Sequence, residues 1–248
     1  MNPDDRHLDL PPGFRAVPLR EHRDAFGHAQ AIAADDGAGT LVWVRRFDIV
    51  EAAVVLEPEQ PLQEARFALY AGMNAMADAL SLYCPPEKPL AFAWPDTLLL
   101  DGGIIGGCRL AWPEGASESE PPDWLVLGVN VRSTVHVPSQ QIFTKGTSLE
   151  TEGFEIMDGH LILASFARHL MAAFDGWRAK GVTSVADRYL ARMLPTKGEC
   201  LGLDTNGDLL VRPRAERTAD MSRVSRSPLT VPLASPQWLD PATGEPWL

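Results

Sequence analysis

"FAWPDTLLLDGGIIGGCRLAWP", Phe92 to Pro113, holds two aliphatic runs separated by Asp101-Gly102-Gly103. A β-rich pair of that length around an Asp-Gly turn predicts an antiparallel hairpin. Gly106-Gly107 falls inside the second run, where glycine marks a bulge or lets another group approach the backbone closely. The stretch has no lysine and no histidine, and Arg109 is its single basic residue. Trp94-Pro95-Asp96 stands at the mouth of the hairpin, offering an aromatic wall and a polar contact for a ligand, or a buried Trp with a turn-capping Asp.

Working outward, "EARFALYAGMNAMADALSLYCPP" places Leu69, Met73, Met76 and Leu80 on one helical face and stops at Pro85-Pro86. Glu21 to Ala34 predicts an earlier helix, stopped by Gly37 and Gly39, after a proline-broken arm over residues 1–19. "TLVWVRRF", "EAAVVLEP", "LAFAW" and "WLVLGVNV" are further strand-length runs. "GHLILASFARHLMAAFDGWRAKG" is a second long helix with Leu163, Phe166, Leu170, Phe174 and Trp177 in one stripe. "SVADRYLARML" follows, with Ser184 as its expected cap. Past Pro195, "ECLGLDTNGDLLVRP" predicts a hairpin through Asn206-Gly207. Strands and helices do not alternate as βαβ units, so the fold class expected is α+β with a mixed, largely antiparallel sheet flanked by helices. The division expected is a main domain over 1–194 and a small β-rich C-terminal domain over 195–248.

Lys and Arg number 22 against 33 Asp and Glu, a formal charge of −11 over 248 residues. That balance argues against nucleic acid and against an anionic membrane surface as partners. No apolar run approaches membrane-spanning length and the N-terminus lacks a signal-like core, so a cytoplasmic location is expected. Cys84, Cys108 and Cys200 are isolated, with no paired spacing for a metal or a disulfide framework.

The order of elements and four short motifs resemble the biotin/lipoate protein ligase superfamily. Trp94-Pro95-Asp96, Asp101-Gly102-Gly103 and Gly106-Gly107 are similar to that family's "WPND…GGI" strand pair. Gly128-Val129-Asn130-Val131-Arg132 is similar to its next strand. The similarity spans roughly residues 15–215. It implies a small carboxylate ligand (biotin, lipoate or octanoate), activation by ATP with Mg, and transfer to a lysine of a carrier-domain protein. It also implies a ligand site at Trp94, Pro95, Asp96, Gly106, Gly107, Gly128 and Asn130, and a sheet able to pair into a homodimer.

The chain departs from that pattern where the chemistry sits. The family's basic glycine loop, of the form GRGRxGR, is reduced to Arg45-Arg46 between two strands. Its lysine two residues before Gly106 is Ile104, the asparagine of "WPND" is Asp96, the following aspartate is Thr97, and the Ser-Thr-Asn opening of the first helix is absent. Removing one preorganised charge-stabilising group costs about 10²–10³ in rate. Arg45, Arg46 and Arg109 are the candidate replacement cations; strand alternation points one of the first two inward and the other out. Cys108 is a candidate nucleophile or a small buried hydrophobe. Three functions stay open: a divergent ATP-dependent ligase, a non-catalytic relative that binds a carboxylate cofactor, its adenylate or a carrier domain, and a Cys108-dependent acyltransferase.

Overall fold

Thr97–Leu100 and Gly103–Ala111 pair antiparallel, with Asp101 (φ 50°) and Gly102 (φ 84°) making the turn between them. The computed structural model describes residues 8–21, 23–135, 145–195, 197–213 and 224–247. Among these, the chain runs β1 (Arg15–Leu19), α1 (Ala25–Asp36), β2 (Thr40–Val44), β3 (Ile49–Leu56), α2 (Leu62–Ala65) and α3 (Ala68–Ser81). It continues through β4 (Leu90–Ala93), β5 (Thr97–Leu100), β6 (Gly103–Ala111), β7 (Leu125–Arg132), α4 (Gly159–Lys180) and α5 (Thr183–Leu190). It closes with β8 (Glu199–Leu203), β9 (Leu209–Pro213), β10 (Ser225–Ser227) and α6 (Thr230–Leu233).

A seven-stranded sheet has the order β1-β2-β3-β7-β6-β5-β4, and a three-stranded sheet the order β10-β9-β8. Only the β1–β2 pair is parallel, so the fold is the α+β, largely antiparallel arrangement expected, with a small sheet near the C-terminus. The sheet separates two apolar layers. On one side α3 and α4 bury Leu69, Met73, Met76, Phe166 and Leu170 against Val50, Leu127, Val129 and Cys108. On the other, α1 buries Ala25, Ala29 and Ala33 against Val42, Ala53, Val55 and Val126. Alternation along each strand sends successive side chains to these two layers, which fixes register by burial. Gly72 lets α3 lie close on β7, since a Cβ there would come within 2.7 Å of Leu127.

Three local details differ from expectation. The proline-rich arm contributes strand β1, and Pro18 is tolerated because β1 is at the sheet edge, where a missing N–H costs least. Helix α1 begins at Ala25, with Asp24 Oδ1 accepting from Phe26 N at 2.9 Å as its cap. Helix α5 starts at Thr183 without a side-chain cap; the Ser184 hydroxyl instead donates to the Gly181 carbonyl at 2.8 Å. The β8–β9 turn forms through Gly207 (φ 80°), with Asp204 Oδ1 accepting from Asn206 N and Asp208 N. Among the described residues no helix is long and apolar enough to cross a membrane.

Candidate functional site

The α1 side of the sheet carries a polar row that the apolar layers stop short of. Register aligns Glu51 on β3, Asn130 on β7 and Gly107 on β6, with Thr97 beyond on β5. Arg132 lies two residues past Asn130 and Arg109 two past Gly107, hence on the same face. Glu51 interrupts an otherwise apolar strand; its Oε1 accepts from Ala25 N at 2.8 Å, closing the start of α1. Burial pushes its carboxyl above the usual range, opposed by that backbone N–H.

Each guanidinium on this face has a carboxylate partner. Arg46 donates to Asp48 at 2.8 and 2.7 Å and to Glu245 Oε1 at 2.6 Å, and lies 3.7 Å from Glu51. Burial works against its charge, but the bonds to Asp48 and Glu245 outweigh it and hold its pKa above the ordinary value. Arg132 approaches Glu245 Oε2 at 3.5 Å and donates to the Pro246 carbonyl at 2.5 Å; burial lowers its pKa, and Glu245 opposes that. Arg109 stacks 4.3 Å over the Phe26 ring and meets Asp24 at 3.4 Å, its pKa lowered by burial. Arg45 turns outward, 5.9 Å from the Trp43 ring, so Arg46 is the inward member of the pair.

The chain's own C-terminal segment covers this row. A Cβ on Gly107 would fall 2.4 Å from Trp238 Nε1, so the indole lies directly on the glycine; Trp238 is fully buried. Asp96 lies here too, 1% exposed, and burial raises its carboxyl to about 7. Thr97 and the nearby Trp238 indole pull the other way, although that indole completes no hydrogen bond with it. Among the described residues, Asp96 Oδ2, Asn130 Oδ1, Arg132 Nε and Trp238 Nε1 are buried and unpaired. Such a cluster is unusual, because buried polar atoms are nearly always satisfied.

The other residues singled out from the sequence have structural work. Trp94 Nε1 donates to Tyr70 Oη at 3.1 Å on α3, and Pro95, joined to Trp94 by a cis bond, accepts from Tyr189 Oη at 3.0 Å. Gly106 (φ 149°) sits against the Asn130 carbonyl, where a Cβ would come within 1.9 Å. Gly128 makes room for Phe26, 2.5 Å from where a Cβ would be. Cys108 is fully buried in the α3 layer, and desolvation lifts its thiol well above its ordinary value. That environment offers no solvent access and disfavours a thiolate, and the neighbouring Asp96 adds to the upward push.

The residues sequence reasoning passed over are Glu51, Arg132, Trp238 and Glu245. Glu51 was visible as the one charge within an apolar strand, and Arg132 as the next same-face residue after Asn130. Trp238 and Glu245 carry no local signal, because only chain return brings them to the sheet.

Arg46 and Arg132 already converge on one carboxylate. Among the described residues, Asp48 and Glu51 lie beside Arg46, Asp24 beside Arg109 and Glu245 beside Arg132, so each of these three guanidiniums already has a carboxylate neighbour. The β2–β3 connection is residues 45–48, too short to enclose a nucleotide.

Residues 10–191 match the model of the Biotin/lipoate A/B protein ligase family. A Biotin--[acetyl-CoA-carboxylase] ligase of Paracoccus denitrificans is 25% identical over 213 residues, 77% of this chain and 87% of that protein. A biotin protein ligase-like protein of unknown function from Silicibacter sp. TM1040 has a similar structure: TM-score 0.77, 24% identity, covering 90% of this chain and 98% of that one. Biotin protein ligase from Aquifex aeolicus, in complex with biotin and ATP, gives a TM-score of 0.62 at 15% identity, covering 86% and 94%.

Proposed function

This chain belongs to the biotin/lipoate A/B protein ligase family, and from that premise we propose that it binds a small carboxylic acid of the biotin or lipoate class. The acid lies along Glu51, Asn130 and Gly107, with Asp96 at its side and its carboxylate between Arg46 and Arg132. The observation that carries this reading is the convergence of both guanidiniums on one carboxylate, at 2.6 and 3.5 Å. Paired, charge-assisted contacts of this kind are the strong ones for recognising a carboxylate. Asn130 Oδ1 and Asp96 Oδ2 supply polar groups in want of a partner beside it.

A second reading, ATP-dependent activation and transfer to a carrier lysine, is favoured by Lys145. Ile104 holds the position where the family resemblance places a lysine, and Ile104 N donates to the Lys145 carbonyl at 3.0 Å. The Lys145 backbone therefore runs beside the vacated position, and its ammonium lies 5.1 Å from the centre of the Trp247 ring. Arg46, Arg109 and Arg132 are each already engaged by a carboxylate, which supports binding without activation as the primary reading.

Calorimetry with biotin, lipoate and octanoate, run beside ATP–pyrophosphate exchange, tests both. Saturable binding of one acid, weakened about 10–100-fold in Arg132→Met, is the expected result. Exchange lost in Lys145→Ala would promote the second reading. Absence of binding by all three acids would remove the ligand class.

A further inference from the structure

The segment that covers the row is itself built like a ligand. Residues 238–247 close on themselves: Trp247 N donates to the Trp238 carbonyl at 3.0 Å, Asp240 N to the Glu245 carbonyl at 2.8 Å, and Leu239 bridges Pro246. Compact loops with adjoining ends and internal bonds are held together by their own contacts. The segment reaches the sheet through few groups. Glu245 and the Pro246 carbonyl meet Arg46 and Arg132, Trp247 stacks with Lys145 at 5.1 Å, and Trp238 fills the space over Gly107. Glu245 is thus a carboxylate in the guanidinium pair, and Trp238 a flat apolar body on the glycine.

The fit is incomplete in an informative way. Trp238 covers Gly107 with its indole beside the Asp96 carboxyl, yet among the described residues Asp96 Oδ2, Asn130 Oδ1 and Trp238 Nε1 complete no well-formed hydrogen bond. Arg132 likewise keeps a buried, unpaired Nε. A segment that was simply part of the core would be expected to satisfy these atoms or replace them with apolar ones. An occupant that leaves several buried polar atoms unpaired is one that a better-matched molecule can replace.

We infer that Arg46 and Arg132 form a carboxylate clamp and that residues 238–247 are a strap holding it self-liganded. An entering acid displaces Glu245 from the clamp and Trp238 from Gly107. This rests on the ligand class proposed above and adds to it the regulation of the same site. The measured affinity of wild-type protein is then the intrinsic affinity reduced by the small fraction of molecules whose strap is open. No bond is made or broken in the exchange; one carboxylate replaces another.

The test uses the full chain with Glu245→Gln, which removes the charge, and Glu245→Arg, which turns the contact repulsive. Glu245 is partly exposed, so neither change touches the core. Biotin, lipoate and octanoate are titrated calorimetrically into wild type and both variants, and amide hydrogen exchange is followed over residues 236–247. The expected result is an affinity raised about tenfold or more in the variants, and strap protection that falls in both variants and in acid-saturated wild type. Equal affinity in all three proteins, with strap protection unchanged at saturation, overturns the strap while leaving the ligand class standing. Failure of every acid to bind any of the three overturns both.

Discussion

The Trp94 indole donates to the Tyr70 hydroxyl at 3.1 Å, and that hydroxyl donates onward to the Gly207 carbonyl at 2.5 Å. One buried oxygen therefore ties the start of the hairpin, helix α3 and the β8–β9 turn together. Tyr70→Phe removes both bonds and leaves the Gly207 carbonyl and the Trp94 N–H without this partner. A loss of about 1–3 kcal/mol in urea unfolding is expected, with acid binding unchanged. A loss of affinity with unchanged stability would contradict the structural role assigned to Trp94.

Asp96 makes stability depend on pH. Its carboxyl titrates near 7 in the folded protein against 3.8 as the ordinary value. A raised folded value means the native state holds the proton more tightly, so stability is full below about pH 4 and declines as pH rises through 7. The difference is worth on the order of 4 kcal/mol. Asp96→Asn should flatten this slope and be the more stable protein at pH 8. Parallel melting-temperature profiles for wild type and variant from pH 4 to 8 would show the assignment to be wrong.

Two glycine substitutions should have opposite signs. Gly107→Ala drives a methyl into the Trp238 ring and the Asp96 carbonyl, both closer than 2.5 Å to the new atom. Overpacking of this kind costs roughly 1–3 kcal/mol, and exchange protection over 238–247 should fall with it. Gly176 lies within α4 with nothing within 4 Å of an added Cβ. Gly176→Ala should stabilise by about 0.5–1 kcal/mol through helix propensity. Thermal unfolding of the two variants side by side checks both signs.

Cys108 should behave as a hydrophobe. It is fully buried, whereas Cys84 and Cys200 are partly exposed. A thiol reagent should modify Cys84 and Cys200 in the native protein and reach Cys108 only on unfolding. Cys108→Ala should keep acid binding intact at a modest cost in stability. Rapid native labelling of Cys108, identified by peptide mapping, would revive the acyltransferase reading.

Periodicity and turn chemistry determined much of this protein locally. Leu69, Met73, Met76 and Leu80 declare a helix, the Asp101-Gly102 turn declares a hairpin, and together they imply a mixed sheet with helical cover. Motif order was enough to point to the family, and the short Arg45–Asp48 connection to a missing enclosing loop. These features are readable because local sterics and strand alternation act over a few residues. The destination of individual side chains is another matter. Trp94, open in the sequence between a ligand-site wall and a buried Trp, donates to Tyr70, while Gly128 accommodates Phe26 from α1. Beside the local Arg46–Asp48 pair, Arg46, Arg132 and Gly107 meet Glu245 or Trp238, more than a hundred residues further along the chain. No periodicity encodes such a meeting. It is settled by which surfaces remain to be covered once the sheet and helices have packed, and so it belongs to the tertiary structure alone.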